Sequence, residues 1–209
     1  MSDVFKINTE DAVSSSLQPQ IPILELVAED HPVLRERCIE YVFRPEYPDE
    51  AQMFASSLVE TCKKNQGIGL SANQCGVKLR VFVMGAGDDY VAHFNPKLID
   101  SEGESHMIEG CLSFPLLGLR ITRPETITVE YQDFKGVSHT AKYTGISARC
   151  FLHELDHMDG IVYTDRVKPL ALKSGMDKRN KVLKKMAQYQ ALLMKKVKQQ
   201  NGKNTSRNR

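Results

Sequence analysis

The 209-residue sequence has no tryptophan, five cysteines without a CxxC pair, and no apolar run long enough to approach the about 20 residues that cross a bilayer. A membrane-spanning helix is thereby excluded. The odd number of cysteines (Cys38, Cys62, Cys75, Cys111 and Cys150) argues against a disulfide framework and for a reducing compartment. A cysteine close to histidines is then expected to be a ligand or nucleophile. The opening MSDVFKINTEDAVSSS lacks an apolar segment and carries Asp3, Glu10 and Asp11, so neither a secretory signal nor a transit peptide is expected there. Internal repeats are also missing.

What is present is the composition of a globular protein, 41% hydrophobic and 26% charged. A chain of this length buries roughly 70% of its unfolded surface and needs no disulfides to hold a core. The net charge of +2 conceals an asymmetry. Lys168–Arg209 holds 13 of the 28 basic residues and one of the 26 acids, a local balance of +12 against −10 for the rest. An acidic body with a basic tail is the better description.

Residues 1–20 read as a flexible extension, 21–170 as the catalytic domain, and 171–209 as a basic helix with a tail fraying from Asn201. Pro48, Asp49 and Glu50 suit a helix start, with Met53, Leu58 and Cys62 as its apolar stripe and a stop near Gln66–Gly69. Strands are expected at Arg80–Met84, Tyr90–Asn95, Thr126–Tyr131 and His139–Tyr143. Ser147 suits the cap of a helix through Phe151 to Met158, stopped by Gly160, and a last helix is expected over Met176–Lys198. The order favours an α+β fold, with antiparallel or mixed sheets packed around the central helix and a C-terminal helix at the end.

That central helix carries His153-Glu154-Leu155-Asp156-His157, an HExxH pattern. Histidines at i and i+4 share one helical face, so both imidazoles reach one ion, and Glu154 lies within reach of a water beside it. The third ligand decides the class. No Glu follows Glu154, which removes the thermolysin-like arrangement, and Tyr163 stands where a metzincin needs histidine. Asp165 would make a zinc endopeptidase. Cys111, in Glu109-Gly110-Cys111-Leu112-Ser113, would leave a tetrahedral ion one position for water. A nucleic-acid or ribosome-binding module with a structural metal is a third reading, but it needs a fourth protein ligand. Gly67-Ile68-Gly69-Leu70-Ser71-Ala72-Asn73-Gln74 lacks the Lys-Ser/Thr pair of a phosphate-binding loop and reads alone as a turn.

Taken in order, GIGLSANQ, EGCLS and HELDH resemble the three signature motifs of peptide deformylases, over about residues 21 to 170. The basic helical end is similar to the bacterial form of that family. Ser71 departs from the alanine usual there, and its hydroxyl needs a hydrogen bond in a tightly packed loop. The resemblance implies a hydrolase that removes formyl from N-formylmethionyl peptides. It assigns Cys111, His153 and His157 to the metal, Glu154 to proton transfer, and Gln74 and the Leu112 N–H to the oxyanion. Gly69 becomes a strand partner for the peptide, and Ile68 and Cys150 line the methionine pocket. The cofactor implied is one divalent ion, Fe(II) physiologically, with Zn, Ni or Co accepted. The setting implied is a bacterial cytoplasm, the cytoplasm of a virus's host, or an organelle, wherever translation starts with formylmethionine.

The basic tail has two readings. Val182, Leu183, Met186, Leu193 and Val197 form a stripe that would dock a solvated helix, while the clustered lysines suit ribosomal phosphates without base specificity. Neither a membrane nor a sequence-specific nucleic acid is expected as partner, since the apolar face has no Trp or Phe.

Overall fold

A computed structural model describes the backbone of residues 21–207 and side chains as far as Val197. The extension expected over residues 1–20 lies outside the described residues. Helix α1 (Glu50–Lys64) and the short strand β1 (Gly69–Ser71) are followed by the strands β2 (Val81–Ala86) and β3 (Asp89–Glu102). The hairpin β4 (Ser105–Cys111) and β5 (Phe114–Arg123) precedes β6 (Thr126–Gln132) and β7 (Ser138–Thr144), and helices α2 (Gly145–Met158) and α3 (Pro169–Arg207) complete the order. Among the described residues, these seven strands pair antiparallel throughout, in a five-stranded sheet of order β1-β2-β3-β6-β7 and the separate β4–β5 hairpin.

Helix α2 is enclosed between these two sheets. Its apolar side, Ala148, Phe151 and Leu152, packs on Phe82, Met84, Ile127 and Val129 of β2 and β6. Its other side meets the hairpin through ion pairs rather than methyl groups. In β5, Leu117, Leu119, Ile121 and Arg123 alternate as the buried residues, so strand periodicity puts a guanidinium where a core residue belongs. Burying that charge is tolerable because Glu109 and Asp156 both pair with it. Among the described residues β1 pairs with β2 alone, which leaves its other edge without a strand partner there.

Several expectations are corrected. The α1 stripe is Ala51, Ala55, Leu58 and Cys62, whereas Met53 is 58% exposed; the buried set steps by three and four residues, and Met53 falls off that face. The cap of α2 is Thr144, not Ser147, because Gly145 at φ +58° turns the chain directly from β7 into the helix. The hairpin β4–β5 was not expected at all. Helix α3 starts at Pro169 rather than Met176 and stays helical over residues 201–207, where fraying was expected. Gly175 lies inside this first part, and a methyl there would stand 2.7 Å from Leu119 Cδ2, so the glycine permits close docking on β5. Leu172 and Met176 complete that contact, and Arg179 pairs with Glu29 at 2.7 Å. Every residue from Lys181 to Val197 is exposed. Among the described residues, no helix is long and apolar enough to cross a membrane.

Candidate metal centre

Helix α2 presents His153 and His157 one turn apart, and the end of β4 brings Cys111 to them. The donor atoms of these three side chains all lie within 4.8 Å of one another, with Cys111 Sγ 3.4 Å from His157 Nε2. Their chemistry fits a divalent transition metal, with one thiolate and two imidazoles. Burial works against a protonated His153, yet Cys111 and Glu109 push its pKa up to about 10. The surroundings therefore favour positive charge at this point, which a cation would supply. Burial holds His157 well below the usual imidazole range.

The partner of His153 is not legible in the local sequence. Glu109 Oε2 lies 3.1 Å from His153 Nδ1, which leaves Nε2 for an ion and fixes the ring. Burial alone would raise Glu109, but hydrogen bonds from His153 and Arg123 bring its carboxyl down to about 2. Arg123 Nη2 donates to Glu109 at 2.9 Å and its Nη1 to Asp156 at 2.8 Å; Arg149 pairs with Glu109, and Arg166 with Asp156. A buried charge network thus welds the hairpin to α2 behind the histidines. Glu109 lies in the EGCLS motif, but its partners are 14, 40 and 44 residues away in sequence, and nothing local announces them.

Glu154 sits beside the cluster, 3% exposed, and burial raises its pKa above the ordinary carboxylate value. Ser71 Oγ donates to its Oε2 at 2.6 Å, the hydrogen bond that the Ser71 hydroxyl required. Gln74, in the 3-10 turn Ala72–Cys75, accepts from Ser71 N–H through Oε1 at 2.9 Å. Its Nε2 is thereby aimed at Cys111 Sγ, 3.3 Å away, and Ser113 Oγ, 3.1 Å away.

These groups line a cavity of about 440 Å³, within the range of small-ligand sites. Ile68, Gly69, Gln74, Cys111, Leu112, Cys150, His153 and Glu154, all singled out in the sequence, face it. His157 lies beneath as the third member of the donor group. Ile108, Leu116 and Ile146 at the mouth are 52–68% exposed and give it an apolar rim. Asp165, the alternative third ligand, is instead paired with Arg35 and accepts from Val162 N–H at 3.2 Å, on the turn Tyr163–Arg166. Among the described residues the donor group has three members, one fewer than a closed structural site requires.

An HExxH helix, a cysteine brought to it by a hairpin and an apolar-rimmed cavity above them define a metal-dependent hydrolase. The model of one family, polypeptide deformylase, matches residues 23–173. The chain belongs to that family, enzymes that remove the formyl group from N-formylmethionyl peptides. A peptide deformylase of Finegoldia magna is 37% identical over 142 residues, 66% of this chain and 86% of the relative. The crystal structure of peptide deformylase from Thermotoga maritima superposes with a TM-score of 0.67 at 32% identity, covering 71% of this chain and 99% of that one. The Synechococcus elongatus enzyme in complex with actinonin gives 0.70 at 31%, covering 80% and 91%.

Proposed function

We propose that Cys111, His153 and His157 hold one divalent ion, Fe(II) in the cell, and that Glu154, Gln74 and the Leu112 N–H carry out deformylation around it. The convergence of the three donors beside Glu154 carries this reading. An ion held there supplies Lewis acidity, enough to bring the pKa of water from about 15.7 toward about 7. Zinc, nickel or cobalt suits the same donors.

The peptide lies along the free edge of β1, where Gly69 offers main-chain hydrogen bonds as an added strand would. Its methionine side chain enters between Ile68 and Cys150. Glu154 takes a proton from the attacking water, its raised pKa suiting it to hold that proton briefly. As negative charge grows on the formyl oxygen, Gln74 Nε2 and the Leu112 N–H donate to it; one such donor is worth about 2.7–4 kcal/mol in the transition state. Glu154 then gives its proton to the leaving nitrogen, and formate and a free amine result. A formyl group places only hydrogen beyond its carbonyl carbon, so the cramped floor admits it and rejects a continuing chain.

Formate release from formyl-Met-Ala-Ser, measured anaerobically with defined metals, tests the assignment. Glu154→Gln should abolish turnover and keep the metal, and Cys111→Ala should lose the metal. An active Glu154→Gln enzyme, or a Cys111→Ala protein with full metal content, would overturn it.

The exposed part of α3 suits ribosome contact in the cytoplasm, where formylated chains emerge. Lys181, Lys184, Lys185, Lys195 and Lys196 are all exposed there, a phosphate-binding array whose affinity should fall steeply with salt. Unchanged ribosome affinity at low salt in a chain ending at Lys181 would remove this partner.

A further inference from the structure

We propose that Ser71 is a positioning residue, fixing which oxygen of the Glu154 carboxylate works at the floor of the cavity. The inference rests on the role given to Glu154 above. Ser71 is the last residue of β1, fully buried, and its hydroxyl donates to Glu154 Oε2 at 2.6 Å, the short distance of a charge-assisted bond. With Oε2 anchored, Oε1 is the oxygen turned toward Gly69, since a methyl built on Gly69 would overlap it. Gly69 and Glu154 both line the cavity, so Oε1 is the oxygen presented there.

The same residue also acts on Gln74. Its main-chain N–H donates to Gln74 Oε1 at 2.9 Å and so turns Nε2 toward Cys111. One residue therefore sets the proton acceptor with its side chain and the amide donor with its backbone. Only the first of these depends on the hydroxyl.

A purely structural hydroxyl would behave differently. Glu154 O lies 3.2 Å from Ser71 Oγ, a second acceptor that would satisfy the hydroxyl without any contact to the carboxylate. The shorter bond nevertheless goes to Oε2. Alanine at this position keeps the backbone donor to Gln74 but frees the carboxylate to rotate, and a fully buried serine exchanged for alanine leaves little void. The expected loss is therefore in the chemical step, not in substrate or metal binding.

The test compares wild type, Ser71→Ala, Ser71→Thr and Glu154→Gln with formyl-Met-Ala-Ser. For Ser71→Ala, kcat should fall about tenfold, with KM within twofold of wild type and metal content unchanged. Its crystal structure should show the Glu154 carboxylate displaced or in two orientations. Ser71→Thr, which keeps the hydroxyl, should recover most of kcat; if its extra methyl prevents folding, Ser71→Ala decides alone. A wild-type kcat in Ser71→Ala, an effect confined to KM or metal content, or an unmoved carboxylate would overturn the proposal. An active Glu154→Gln would instead overturn the reading of Glu154 itself, so the two failures are distinguishable.

Discussion

Gly69 and Glu154 are in such close contact that a side chain on the first would occupy the place of the second's carboxylate. A Cβ at Gly69 would overlap Glu154 Oε1 and stand 2.7 Å from Cys150 Sγ. The strand edge proposed to receive the peptide and the proposed proton acceptor are thus at van der Waals distance, possible only because β1 carries glycine there. Gly69→Ala should lower kcat/KM at least a hundredfold. The sheet should persist, because Leu70 and Ser71 keep their pairing with Val83 and Phe82. Steady-state kinetics with far-ultraviolet circular dichroism checks both halves, and near-normal activity would show that the carboxylate moves freely.

Glu109→Gln should lower both metal affinity and stability. The neutral amide still reaches His153 Nδ1, but Arg123 and Arg149 lose the carboxylate that balances them in a site where all three side chains are 4% exposed. Breaking such a buried pair costs about 3–5 kcal/mol. Weakening the partner of a ligating histidine typically costs about 10–100-fold in metal affinity. Chelator competition should therefore show weaker metal retention, and thermal unfolding of the metal-free protein should show a lower midpoint. A variant with unchanged midpoint would mean the network contributes nothing to holding α2 on the hairpin.

How much of this was legible depends on distance along the chain. HExxH compresses two candidate ligands and the proposed proton acceptor into one helical turn, so its geometry follows from the helix alone. Cys111 needed the hairpin, and the hairpin was hidden: Pro115 and Gly118 interrupt β5 as strand signals, and Arg123 occupies one of its inward positions. Gly175 concealed the start of α3 in the same way, since a glycine inside a helix argues against it until its docking on Leu119 is known. Met53 is apolar yet faces outward, because the inward face of α1 is built partly from alanines, which an apolar-residue pattern does not single out. Glu109, Arg123 and Asp156 meet only in three dimensions, and no local pattern could have paired them.

Helix α3 should divide into a part that stabilises the body and a part that does not. Leu172 and Met176 are partly buried against β5, Arg179 pairs with Glu29, and Lys181 to Val197 are exposed. A chain ending at Lys181 should therefore melt within a few degrees of the full chain. One ending at Lys168 loses two partly buried side chains and exposes Leu117 and Leu119, a cost of about 2–4 kcal/mol. Differential scanning calorimetry of the two truncations distinguishes them, and equal midpoints would show that the first turns of α3 are only resting on the hairpin.

His93 makes stability depend on acid without touching the metal centre. It is fully buried on β3, stacked on Phe82 and close to Tyr131, Tyr143 and Phe151, with Nε2 2.9 Å from Tyr143 Oη. Burial lowers its pKa from 6.5 to about 3. Between those values the unfolded chain binds a proton that the folded chain refuses, so this stabilisation is full above pH 6.5 and is lost as pH falls. Each unit of pH in that window removes about 1.4 kcal/mol, so moving from pH 7 to pH 5 should cost about 2 kcal/mol through this residue. Other buried groups, His157 among them, add their own acid dependence, and the informative quantity is the difference between wild type and His93→Gln. Urea unfolding at both pH values should show His93→Gln less stable at pH 7, where it loses the ring packing, but declining about 2 kcal/mol less on acidification. A parallel decline in the two proteins would mean that His93 takes up its proton without leaving the core.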